Sequence, residues 1–194
     1  MNQLPYVEMS QQYGGKGGNP FNPQHEIDFS PNLRVQKVRV GHGGMIDSVQ
    51  FVLTDGMNLY ELPKLGGNGG THAEWDVPYG EFITKITVRY NQYCCGLQFF
   101  TNTGKFSPFF GKQIGNTADV DIKGNLLSYG GRCGSIIDAI QFFYWSETFS
   151  ICYLYFDEEY VIIFTLILYI LTFIGRDILL INERINMIVL FMNL

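Results

Sequence analysis

Gln-Phe occurs three times at near-regular intervals, as Gln50-Phe51, Gln98-Phe99 and Gln141-Phe142, separated by 48 and then 43 residues. Each pair sits in a short run of aliphatic and aromatic residues, so the chain reads as three variations on one unit. A repeat of this length with no helical period implies about four strands per copy, stacked or set around an axis. Three copies close into a three-sided body, each sheet lending its inner face to a shared core, with short loops gathered at one end. Local patterns agree. VQKVRV (35–40) and FITKITV (82–88) alternate apolar and polar residues, as half-buried strands do. Thr54-Asp55-Gly56 and Asn102-Thr103-Gly104 each separate two strand-like runs, which is a hairpin signal. No amphipathic segment of helix length interrupts the series before residue 145.

Composition divides the chain. Of its 22 glycines only Gly175 lies beyond residue 150, and there Ile, Leu, Phe and Tyr take over. The expected division is a β domain over 1–148, large enough for a real core, and a hydrophobic tail over 149–194, helical if ordered. Net charge is −5 and the basic residues are scattered, so nucleic acid is not an expected partner. Arg34, Lys37 and Arg39 fall in an alternating strand and read as its solvated face. Cys94, Cys95, Cys133 and Cys152 include an adjacent pair and match neither a disulfide framework nor a zinc knuckle, which favours a reduced compartment. The amino terminus lacks the basic and apolar regions of a secretory signal.

The three copies are unequal. The first carries Gly43-Gly44-Met45-Ile46-Asp47 and the third Gly134-Ser135-Ile136-Ile137-Asp138, whereas the middle one reads Asn91-Gln92-Tyr93-Cys94-Cys95. Turn scaffolding alone would need the glycine and the acid in all three copies. Two glycine clusters, GGKGG at 14–18 and GGNGG at 66–70, read as tight loops that expose backbone amides, and no third good example of either element is expected. A carboxylate flanked by such amides suits a neutral polyol: the acid accepts from hydroxyls and the amides donate to oxygens, with charge-assisted bonds worth about 1.5–3 kcal/mol each. A shallow wet site binds one sugar weakly, near millimolar or about −4 kcal/mol, and two sites or several bodies together raise the apparent affinity.

GGKGGNPF, GGMIDSVQF, GGNGG, FITKITVRY, SPFFG and above all GGRCGSIIDAIQFFY resemble the jacalin-related lectins over roughly residues 4–145. The resemblance implies an all-β β-prism I fold: three four-stranded Greek-key sheets with pseudo-threefold symmetry, the first and last strands meeting in one sheet. It implies carbohydrate binding and not catalysis, with no cofactor and no metal. Carried onto matching positions, a first site would use the backbone amides of Gly18, Ser135 and Ile136 and the carboxylate of Asp138. A second would use Gly70 with Gly44, Met45 and Asp47. Galactose-binding members need a free amino terminus cut inside the glycine loop. This loop is continuous, so glycans of the mannose or glucose type are the expected partners. The resemblance leaves homo-oligomer formation open. The competing reading is a β-prism without sugar affinity that serves protein interaction or structure.

Other features carry less. His25, His42 and His72 are expected in or near loops without an associated nucleophile, and His42 reads as a loop residue beside the second site. Asp119 and Asp121 in a strand would share one solvated face, and Trp75 and Trp145 read as packing residues. YVIIFTLILYILTFIG, residues 160–175, has no charge. As a helix it would reach roughly 24 Å, against a hydrocarbon core near 30 Å. Three readings of it stand: a membrane tail anchor, unselected sequence from a misread exon or lost stop codon, and an extra packed helix. The expected location is accordingly the cytoplasm, or a membrane reached through the tail.

Overall fold

The computed structural model describes residues 6–22 and 33–146. His25, the expected boundary at 148/149 and the hydrophobic tail with its 160–175 segment lie outside them. Among the described residues no helix is long and apolar enough to cross a membrane. In chain order the strands are β1 (Tyr6–Met9), β2 (Tyr13–Gly14), β3 (Asn19–Phe21), β4 (Arg34–His42), β5 (Ile46–Thr54), β6 (Leu59–Glu61) and β7 (Leu65–Gly66). There follow β8 (Thr71–Asp76), β9 (Ile83–Tyr90), β10 (Cys94–Thr101), β11 (Phe110–Gly111), β12 (Asn116–Asp121), β13 (Leu126–Cys133) and β14 (Ile137–Ser146).

They form three antiparallel sheets, ordered β6-β5-β4-β8, β11-β10-β9-β12 and β1-β14-β13-β3. In the first and third, one edge position is split between two short strands: β7 joins β6 along β5, and β2 joins β1 along β14. Each sheet is therefore four positions wide. In the first sheet a hairpin, β4–β5, is followed by an edge strand and then by β8 on the opposite edge, which is Greek-key order. The third sheet has the same order but is assembled from both ends of the domain: β1 pairs with β14 from Tyr6 opposite Ser146 to Met9 opposite Phe143. The resemblance implied this closure, and it is what makes the prism complete.

The Gln-Phe repeat now has a physical cause. Phe51, Phe99 and Phe142 are fully buried where the three sheets face one another. Phe51 packs edge-on to Phe99 at 6.1 Å and to Tyr129 at 4.6 Å, geometries that suit aromatic quadrupoles. The preceding glutamine points outward and spans the break in the edge strand: Gln50 Nε2 donates to Leu62 O at 2.9 Å and Gln98 Nε2 to Ser107 O at 3.1 Å. One residue fills the core and its neighbour ties down an edge. Lys37 and Arg39 occupy the outer face of β4 as expected, paired with Glu74, Asp76 and Glu61; such exposed pairs contribute little individually.

The end of the prism around Ile83 and Thr101 holds a less ordinary pair. Glu81 is buried and accepts from Lys105 Nζ at 2.6 Å. That contact, with the Thr101 and Thr103 hydroxyls, holds its carboxyl down at about 2. A carboxyl depressed by folding stabilises above its unfolded value, about 4.3, and the contribution is lost as pH falls toward 2. Glu81→Gln should thus lower the urea midpoint at pH 7, with the difference from the parent closing in acid. Truncation of the core is the larger effect. Phe51→Ala should cost about 3–5 kcal/mol in the same measurement.

Candidate functional site

Greek-key order dictates where the glycine clusters go. The chain leaving β7 must cross the end of its own sheet to reach β8, and the β4–β5 turn projects from that end. Residues 66–70 therefore lie over the turn that precedes Asp47, and residues 14–18, joining β2 to β3, lie over the β13–β14 turn that precedes Asp138. Main-chain bonds fix the crossing: Gly67 N donates to Asp47 O and Gly15 N to Asp138 O, each at 2.9 Å. The turns are held alike, by Gly43 N to Met45 O at 2.9 Å and Gly134 N to Ile136 O at 3.0 Å.

The approach is too close for side chains. A Cβ on Gly69 would stand 2.6 Å from Asp47 Oδ1, and one on Gly17 or Gly18 would collide with the Asp138 carboxylate. Gly18 and Gly70 also require the left-handed region, at φ of 59° and 72°, which glycine alone enters without cost. The structure thus brings Gly18 to Asp138, with Ser135 and Ile136 on the adjoining turn. It brings Gly70 to Asp47, with Gly44 and Met45 on theirs. Gly44 and Ser135 are exposed, Met45 and Ile136 half-buried, and Asp138 is 7% exposed.

A third crossing loop exists, although no third glycine cluster marks it. Residues 111–115, GKQIG, join β11 to β12, and Lys112 N donates to Cys95 O at 2.8 Å. Gly111 and Gly115 hold positive φ of 82° and 81°, matching the ends of the other two loops. The end glycines are required by the backbone; of the interior ones, Gly17 and Gly69 make room for the acid, whereas Gly15 and Gly67 face the neighbouring unit. Here Ile114 replaces Gly17 and Gly69, and Cys95 replaces the aspartate, so the loop keeps its path without forming an acidic cup. The Cys95 thiol is buried and burial pushes its pKa up.

The two acidic cups are held differently. Arg132, one register step from the first turn, donates through Nε to Gly17 O and through Nη2 to Gly18 O, both at 2.7 Å. Its counterpart in the first sheet is Gly41, opposite Ser48 as Arg132 is opposite Ala139, and there Lys64 Nζ donates to Asn68 Oδ1 within the loop. No repeat marks Arg132 in the sequence, so reading by matched positions misses it. The loops also touch the next unit: a Cβ on Gly67 would lie 2.9 Å from Ser135 C, and one on Gly15 would lie 3.1 Å from Gln92 C.

His42 is the last residue of β4 and not a loop residue as expected, because it pairs through the last rung of the β4–β8 ladder; His72 is the second residue of β8, beside the 66–70 loop. Trp75 stacks on Phe99 at 6.3 Å and Trp145 packs against the core. Asp119 and Asp121 are both exposed on one face of β12. These geometries separate two kinds of glycine. Gly17→Ala should disturb the Asp138 carboxylate and lower the thermal midpoint. Gly44→Ala, whose added Cβ meets nothing within 4 Å, should stay within about 0.5 kcal/mol of the parent.

Comparison with known proteins agrees with this architecture. The Jacalin-like lectin domain family matches residues 10–143. Zymogen granule membrane protein 16 of Rattus norvegicus is 32% identical over 74% of this chain and 83% of its own length. A mannose/glucose-specific lectin of Parkia pendula is 29% identical over 70% of this chain, but the match spans only 31% of that lectin. Among solved structures, a mannose-binding jacalin-related lectin of Ananas comosus superposes with a TM-score of 0.61 at 24% identity, covering 71% of this chain and 96% of that one; at that identity the likeness speaks to the fold. The chain belongs to the Jacalin-like lectin domain family.

Proposed function

We propose that this protein binds glycans of the mannose or glucose type through two cups at one end of the prism, without making or breaking a bond. The observation that carries the reading is the pattern of exceptions among the three loops. Where the turn supplies an aspartate, the crossing loop has interior glycines at Gly17 and Gly69. Where it supplies Cys95, the loop carries Ile114. Space and carboxylate occur together, as they would if a ligand had to reach the acid.

In the first cup, Asp138 accepts two sugar hydroxyls and the N–H groups of Gly18, Ser135 and Ile136 donate to ring and hydroxyl oxygens. In the second, Asp47 takes the same role with Gly70, Gly44 and Met45. Each cup holds one carboxylate, whereas general acid–base catalysis at a glycosidic bond uses a pair. The Parkia relative supports a mannose or glucose ligand by its stated specificity. Both cups lie at the same end, so a branched glycan or a glycan-bearing surface can meet them together, and self-association would add further cups.

Calorimetry with methyl α-mannoside tests this. The parent should bind two equivalents weakly, Asp138→Asn and Asp47→Asn one each, and the double variant none detectably. Loss of a charged acceptor should weaken the affected cup at least tenfold. A double variant that binds as the parent does would place the sugar elsewhere.

A further inference from the structure

The middle unit has no acid of its own, yet it reaches into the second cup. The Gly111 N–H donates to His42 Nδ1 at 3.2 Å, and the Phe110 ring meets the imidazole edge-on at 5.5 Å. His42 is the residue on which both halves of that cup converge. It pairs with Ile46, immediately before Asp47, and with Thr71, immediately after Gly70. Its own carbonyl lies under the loop, where a Cβ on Gly70 would come within 2.6 Å of it.

We propose that His42 is a positioning residue for the second cup: its neutral imidazole accepts the Gly111 N–H and so fixes the strand end that carries Asp47 and Gly70. The binding readout of this inference rests on the glycan reading above. Acceptance at Nδ1 requires the lone pair there, which places the ring proton on Nε2. A side chain without an acceptor at this position breaks the tie to β11 and leaves the Gly111 amide without this partner.

The other corners are built from different chemistry. Cys133 holds the equivalent position in the first cup, pairing with Ile137 and Asn19. Tyr90 holds it in the middle unit, pairing with Cys94 and Asn116, with its ring 5.5 Å from Tyr13. Neither a thiol nor a phenol offers a ring nitrogen that can accept the amide. The tie through an imidazole is thus particular to the second cup.

The test uses the full chain, with Asp138→Asn as the background that leaves the second cup and Asp47→Asn as the one that leaves the first. His42→Ala should weaken methyl α-mannoside binding at the second cup about fivefold, the size of one neutral hydrogen bond, and leave the first cup unchanged. His42→Asn, whose side-chain oxygen stands near the lost Nδ1, should keep the affinity. Without any sugar, His42→Ala should speed amide exchange at Gly69–Thr71 and not at Gly17–Asn19. Equal effects on the two cups, failure of Asn to rescue, or unchanged exchange at Gly69–Thr71 would overturn the proposal. If neither cup takes the sugar, the glycan reading fails alone and the exchange measurement decides the role of His42.

Discussion

Everything at the working end of this prism depends on one steric constraint: a chain crossing the end of a Greek-key sheet must pass over the hairpin turn of that same sheet. The crossing is tight enough that the main chain of one element hydrogen-bonds the other, through Gly15 N to Asp138 O, Gly67 N to Asp47 O and Lys112 N to Cys95 O. Backbone against backbone leaves no room for Cβ atoms at the contact, so the loop ends are glycines of positive φ in all three units. The cups come from this crossing. A carboxylate placed at the second residue of the strand after the turn is held under the crossing loop. The fold supplies the cradle three times, and the side chain at one position decides whether it contains an acid.

The middle unit is therefore informative because it keeps the backbone and changes the chemistry. Its loop satisfies the same main-chain bond and the same end conformations while carrying Lys112 and Ile114 where the others carry glycines. It also contacts its neighbours. Residues 14–18 lean on its 91–93 turn, residues 66–70 lean on the 134–136 turn, and Gly111 ties to His42. The three corners are linked in a ring: two loops brace the next turn, and β11 ties to the end of β4. Deleting the unit without an acid would leave both acidic cups with a free side, which is a physical reason for three copies where only two carry a carboxylate.

Much of this was legible in the residues. The Gln-Phe repeat specified three equivalent strands because both halves of the dipeptide have fixed jobs: Phe51, Phe99 and Phe142 in the core, and Gln50 and Gln98 on an edge-strand carbonyl. The pairing of each glycine cluster with its aspartate was legible by resemblance, since Gly18 and Asp138 lie far apart in the chain and meet only when β1–β3 complete the sheet of β13 and β14. The third loop was not legible as one, because GKQIG shares only its end glycines with GGKGG and the eye weighs the interior ones. Arg132 and His42 were missed for a different reason. Each acts on a neighbouring loop through a side chain with no counterpart in the other units, and repeats show only what the copies share.

That distinction bears on how two similar cups come to differ. The acid and the glycines are common to both. What holds each cup in shape is private to it. Two charge-assisted bonds from Arg132 clamp the carbonyls of Gly17 and Gly18 from outside, while the second loop closes on itself through Lys64 and Asn68 and rests on a strand end fixed by an imidazole. Side chains of different kinds thus hold the two cups: a guanidinium donates to loop carbonyls in the first, and an imidazole accepts a backbone amide in the second. Cups that share an acid and glycines but not their supports therefore differ in how their loops are held and not in the groups they present.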